Sequence, residues 1–186
     1  MERHLPHSVK SQGLLGKLAA SSAIVVALAS LAITLYEARA TREHDRMSVW
    51  PRLVQETSDS GGRYDRVITN AGLGPALIKS FEIRLDDTVR SSWSPVVQAL
   101  VSPAPVPGYF FSAVGPGTVI LPGHTLHVLT ILAERLSSVA AERDPRLVSR
   151  VCYCSLYGEC WAAESRHLEP KSVARCSAAD TAGVFH

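Results

Sequence analysis

Apolar and polar positions fall into two regimes along the chain. From Leu18 to Tyr36 nineteen residues carry no charge, bounded by Lys17 and Glu37. A helix of that length, rising about 1.5 Å per residue, covers roughly the 30 Å hydrocarbon core of a bilayer. The expected element is a transmembrane helix over residues 14–36, behind a polar tail of residues 1–13 that reads as irregular. Glu37 to Met47 holds no Gly or Pro, so the helix continues into residues 37–49. There Arg39, Arg42 and Arg46 fall at helical spacing, where they meet lipid phosphate or form a solvated face of mixed charge.

From Trp50 the period drops to two, and residues 50–186 read as one strand-rich domain. Expected strands are Arg52 to Thr57, Arg63 to Thr69, Ala76 to Leu85, Thr125 to Leu132, Leu147 to Ser155 and Cys160 to Glu164. In the third, alternation puts Leu77, Phe81, Ile83 and Leu85 on one face, with Lys79 as the exception. Turns are expected at Asp59 to Gly62, Asp86-Asp87 and Leu156 to Glu159. Asn70 to Pro75 is punctuation with two glycines available for positive φ. Ser94-Pro95 has the form of an N-cap followed by a first-turn proline, and Ala133 to Arg143 reads as a second short helix. Pro103 to Gly117 reads as a long Pro/Gly-rich loop carrying Tyr109, Phe110 and Phe111. Strands without regular β-α-β alternation make the fold class mainly β, an antiparallel sandwich with helical insertions.

Charge adds orientation. Arg3, Lys10 and Lys17 against Glu2 precede the uncharged run, and the remaining Lys/Arg and Asp/Glu cancel, so the net +2 sits in the tail. A charge-balanced domain argues against nucleic acid as a partner. The basic tail favours an N-terminus inside and an exported domain, although Arg39, Arg42, Arg46 and Arg52 oppose it from the other side. Ala38-Arg39-Ala40 has the small-x-small form of a signal-peptidase site, but the uncharged run exceeds a usual signal core, which favours an uncleaved anchor. Ala19, Ala23 and Ala27 repeat at four-residue spacing, either as a seam for a second helix or as tolerated small residues.

The four cysteines, Cys152, Cys154, Cys160 and Cys176, lie in the last fifth of the chain. Cys152 and Cys154 share a strand face, and Cys154 meets Cys160 across a turn, so the preferred pairing is Cys154 with Cys160 and Cys152 with Cys176. An exported domain would oxidise them. The rival is a tetrahedral zinc site of four thiolates, or of three with His167, although the spacing lacks the usual C-x₂₋₄-C knuckle. Free buried thiols are the third reading.

Ile68 to Gly72 (ITNAG) and Ile120 to Val128 (ILPGHTLHV) resemble the early Asn-x-Gly and later Leu-Pro-Gly turn of bacterial immunoglobulin-like domains of the cell-adhesion-related kind. Asn70 to Ala76, with Cys152-Tyr153-Cys154-Ser155 and Cys160-Trp161, is also similar to uncharacterised, singly anchored bacterial envelope proteins. The resemblance spans roughly Trp50 to Trp161 and implies an immunoglobulin-like sandwich that binds or spaces other proteins; it implies no chemistry. The long aromatic loop and the helix after Leu132 depart from a plain module of that kind.

No G-x-S-x-G, phosphate-binding glycine loop or H-E-x-x-H occurs. His124 and His127 point opposite ways on a strand and read as surface residues, and Asp86-Asp87 reads as a turn, not a calcium site. No catalytic residue, metal ligand or cofactor is assigned. Tyr109, Phe110 and Phe111 are the candidate partner surface, either as an exposed anchor for a protein or bilayer, or folded back to plug an edge of the sandwich. The expectation is a non-catalytic β-sandwich binding or accessory protein, single-pass in the bacterial inner membrane with its domain outside, contacting lipid through residues 14–36 and another envelope protein. The alternatives are a cytoplasm-facing, zinc-stabilised sensing or scaffolding domain and, third, an envelope enzyme assembled from residues distant in sequence.

Overall fold

The computed structural model of the chain describes residues 9–105 and 108–176. It divides into two units, Met1–Asp45 and Arg46–His186. The first holds all but the last turn of helix α1 (Val9–Ser48), which begins inside the tail expected to be irregular and runs through the charged segment after Tyr36 without a break. Ala19–Ser48 is long and apolar enough to cross a membrane, as a span or as a signal sequence.

The second unit is built on two antiparallel sheets. One has the spatial order β1 (Leu53–Ser60), β2 (Arg63–Asn70), β7 (Thr125–Leu132) and β5 (Tyr109–Phe111). The other runs β10 (Lys171–Val173), β9 (Cys160–Glu164), β8 (Leu147–Cys154), β3 (Ala76–Leu85) and β4 (Thr88–Arg90), with β6 (Val119–Ile120) also on β3. A single core draws Leu53, Tyr64, Ile68, Leu129 and Ile131 from the first sheet and Ile78, Phe81, Ile83, Val151 and Tyr153 from the second. Across it the Tyr153 hydroxyl accepts the Leu53 amide at 3.2 Å.

Local chemistry accounts for the elements, and in four places corrects the expectation from pattern. The pairing of β3 with β8 slips between Ile78 and Ser80, so the bulge at Lys79 brings Ile78 into the core and leaves Leu77 half-buried on the other side. Strict alternation placed Leu77 inside; one extra residue reverses that. Helix α2 (Trp93–Val101) starts two residues earlier than Ser94-Pro95 suggested, with Ser92 instead of Ser94 at the N-cap. Pro95 then sits in the first turn, where its missing N–H has no intrahelical partner to lose. α2 buries Trp93, Val96, Val97, Leu100 and Val101. Its last carbonyls, on Ala99, Leu100 and Ser102, accept from the Arg143 guanidinium at 3.4, 3.0 and 2.6 Å, a cation at a helix C-terminus. Arg143 ends helix α3 (Glu134–Arg143).

The third correction is that the supposed loop after Pro103 contains the edge strand β5. The fourth concerns Asn70 to Pro75. Neither Gly72 nor Gly74 takes a left-handed φ. A Cβ on Gly72 would lie 2.4 Å from the Trp50 carbonyl oxygen, and one on Gly74 would lie 1.8 Å from that of Val49. The glycines are needed because the backbone of Val49 to Arg52 crosses against them. Asn70, fully buried, ties this crossing together. Its Nδ2 donates to the carbonyls of Gly74 at 2.8 Å and Ile120 at 2.9 Å. Its Oδ1 accepts the amides of Arg52 at 3.2 Å and Gly72 at 3.0 Å. Asp86 and Asp87, with φ of 49° and 60°, make the two-residue hairpin between β3 and β4.

Candidate functional site

β5 is the last strand of its sheet, paired on one side only, to β7, so its outer row of backbone N–H and C=O groups meets no strand among the described residues. Alternation divides the three aromatics. Tyr109 and Phe111 share a side, their rings stacked with centroids 6.2 Å apart. Tyr109 packs half-buried against the core, and Phe111 is exposed. Phe110 faces the other way and is 65% exposed. The segment thus combines the two sequence readings: Tyr109 plugs, and Phe110 projects. Leu132, 49% exposed, lies diagonally from Phe110 across the β5–β7 register and extends the apolar patch.

Directly opposite Phe110 is Thr130, whose Oγ1 donates to Asp65 Oδ1 at 2.5 Å. Arg63 pairs with the same carboxylate, and His127 Nδ1 lies 3.2 Å from Oδ1. Burial pushes the Asp65 carboxyl upward. The Arg63 guanidinium, with the Thr130 and His127 hydrogen bonds, outweighs it and holds the group below the usual carboxylate range. An Asp–His contact is one component of acid–base machinery, yet among the described residues no serine or cysteine is hydrogen-bonded to His127. Composition does not flag this cluster; only the outward alternation of β2 and β7 brings Asp65 and His127 together.

The sandwich interior carries a second polar group that the sequence reading missed. Arg66, pointing inward from β2, pairs with Asp144 and donates through Nη2 to Ser149 Oγ on β8 at 3.0 Å. Tyr64 Oη donates to Asp144 at 2.5 Å, and Ser149 donates to Gln55 Oε1 at 2.5 Å. Burial raises the Tyr64 phenol well above its ordinary pKa, keeping it a neutral donor. The adjoining cleft of about 100 Å³ is too small for an organic substrate, and its one cation, Arg66, is already paired with Asp144. We read the group as a bridge between the two sheets and the segment after α3. Larger clefts of about 170 and 250 Å³, the latter bounded by Trp50, Arg52, Glu169 and Pro170, also fall below the roughly 300–1,000 Å³ of typical small-molecule sites.

No protein-family model matches the chain, and no curated protein matches it in sequence. Function must therefore be argued from these side chains.

At the opposite face, disulfides join Cys152 to Cys176 and Cys154 to Cys160. Cys154 and Cys160 occupy directly opposed positions on β8 and β9, which is why the hairpin brings them together. Cys152, two residues back on the same face, holds the segment after β10 against the sheet. The Sγ atoms of Cys154, Cys160 and Cys176 lie within 4.8 Å of one another, the spacing on which the zinc reading would depend. Here all four sulfurs are engaged with each other. Ala19, Ala23 and Ala27 lie on successive turns of α1 and are exposed.

Proposed function

We propose that the chain is a membrane-anchored, non-catalytic binding or accessory protein of the bacterial cell envelope. α1 serves as an uncleaved anchor, the sandwich faces outward, and the β5 edge receives a protein partner. The observation that carries this reading is Phe110, exposed on a three-residue edge strand beside Leu132, while Tyr109 of the same strand packs against the core. An unpaired strand edge with an aromatic anchor suits an extended partner segment, whose main chain completes the sheet while a pocket or ring meets the side chain.

Two further observations support it. The strand orders β1-β2-β7-β5 and β9-β8-β3-β4 support the immunoglobulin-like reading, since such domains order their sheets A-B-E-D and G-F-C. The two disulfides favour an oxidising compartment, in agreement with the basic N-terminal tail on the cytoplasmic side. Against a plain module stand β10, β6 and the helices α2 and α3.

A photo-crosslinking amino acid at Phe110 in the full chain, expressed in its native membrane, tests the reading, with Leu168, 86% exposed and outside any strand, as the comparison position. A discrete adduct from Phe110 and none from Leu168 is expected. Equal, diffuse labelling from both positions would refute a partner site at β5.

A further inference from the structure

The second disulfide has an unusual neighbour. Cys154 and Cys160 are only 5% and 7% exposed, so a soluble thiol has poor access to either sulfur. Cys176, less buried than either and itself bonded to Cys152, places its sulfur within 4.8 Å of both. Thiol–disulfide exchange requires a thiolate beside a disulfide sulfur, and its rate depends on access as much as on thiol pKa.

We propose that Cys176 is an exchange site: electrons from a soluble dithiol reach the buried Cys154–Cys160 disulfide through it, so the pair of disulfides is a relay as well as a staple. In the first step a dithiol thiolate attacks the Cys176 sulfur. The Cys152–Cys176 bond breaks, and its electron pair passes to Cys152, which takes up a proton. The second dithiol thiol then displaces Cys176 from the mixed disulfide. The dithiol departs as a cyclic disulfide, oxidised by two electrons, and the protein keeps two thiols. In the second step the Cys176 thiolate attacks one sulfur of Cys154–Cys160. A new bond forms to Cys176, the Cys154–Cys160 bond breaks, and the displaced cysteine leaves as a thiolate. This step is an isomerisation and needs no reductant. The new disulfide ends on Cys176, where a second dithiol reaches it. Holding the attacking sulfur beside its target replaces a slow encounter with an intramolecular one.

The opposite reading is that Cys176 and its segment only shield the hairpin disulfide, and the two readings predict opposite signs. The full chain in detergent is treated with excess dithiothreitol, quenched by alkylation and mapped by mass spectrometry, alongside the Cys152→Ser/Cys176→Ser double variant, each confirmed folded by its thermal transition. A relay predicts that Cys154–Cys160 is reduced more slowly in the double variant, by roughly ten-fold or more. Reduction at the same rate or faster in that variant overturns the proposal. A second measurement needs no reductant. In Cys152→Ser the relay predicts folded protein carrying Cys160–Cys176 or Cys154–Cys176 linkages, whereas exclusive Cys154–Cys160 pairing with free Cys176 would overturn it.

Discussion

Replacing Asn70 by alanine removes four hydrogen bonds from a fully buried position, two donated to the carbonyls of Gly74 and Ile120 and two accepted from the amides of Arg52 and Gly72. Each is worth about 1 kcal/mol net, and buried groups left without a partner cost more, so the loss is about 4 kcal/mol. That is a large share of the 5–15 kcal/mol typical of a folded domain. At roughly 2–4 °C per kcal/mol for a domain of this size, the thermal midpoint should fall by about 10 °C. Asn70→Asp sharpens the test. It keeps the two acceptor contacts but turns a carboxylate oxygen toward the carbonyls that Nδ2 now serves, so it should be no more stable than the alanine variant. The assay is tryptophan fluorescence during heating of the full chain in detergent at one fixed scan rate, with buried Trp93 as a reporter. An alanine variant within about 2 °C of wild type, or an aspartate variant equal to wild type, would refute the claim that Asn70 locks the crossing of Val49 to Arg52 against the later turn.

Burial pushes the Tyr153 phenol up to about 12, against the lowering effect of the hydrogen bond from the Leu53 amide. A pKa raised by folding contributes stability that is complete below the unfolded value near 10 and is lost as pH rises through the folded one. Tyr153→Phe should therefore lose less stability than wild type between pH 10 and about 12, with a remaining slope from Tyr64, while costing about 1 kcal/mol at neutral pH because the Leu53 amide loses its acceptor. Equal alkaline slopes in denaturant titrations would contradict it. The disulfides should differ in worth, because they close chain segments of sequence separation 24 and 6. Loop-closure entropy gives about 3.5 kcal/mol for Cys152–Cys176 and about 2.4 kcal/mol for Cys154–Cys160, so paired alanine substitution of the first should lower the urea midpoint more. The reverse order would show that the C-terminal staple holds little.

What the chain discloses by pattern is what is local. β7 and β9 coincide with their expected ranges because each is a run bounded by turn residues, and the cysteine geometry follows from an i, i+2 pair facing a hairpin partner. β5 was not legible: three residues between prolines and glycines become a strand only through Ile131, Thr130 and Leu129 of β7, a pairing no local period announces. The bulge at Lys79 is likewise a property of the β3–β8 pairing, and it moved Ile78 inward where alternation had put Leu77. Arg66 and Asp144, 78 residues apart, meet only in the folded sandwich, and nothing in RYDRVIT marks the arginine as the inward-facing one. Gly72 and Gly74 read as turn glycines because punctuation is visible in sequence, whereas the backbone of Val49 to Arg52 that crosses against them is not.

Thiol labelling tests most directly whether the anchored domain is displayed outside the cytoplasm with its cysteines oxidised. Spheroplasts expressing the full chain are exposed to a membrane-impermeant maleimide, with and without prior treatment with an impermeant reductant. The account predicts that Cys152, Cys154, Cys160 and Cys176 are labelled only after reduction, without lysis. Cysteines that stay silent until the cells are broken, and then react with no reductant, would place the domain in the cytoplasm and contradict the account.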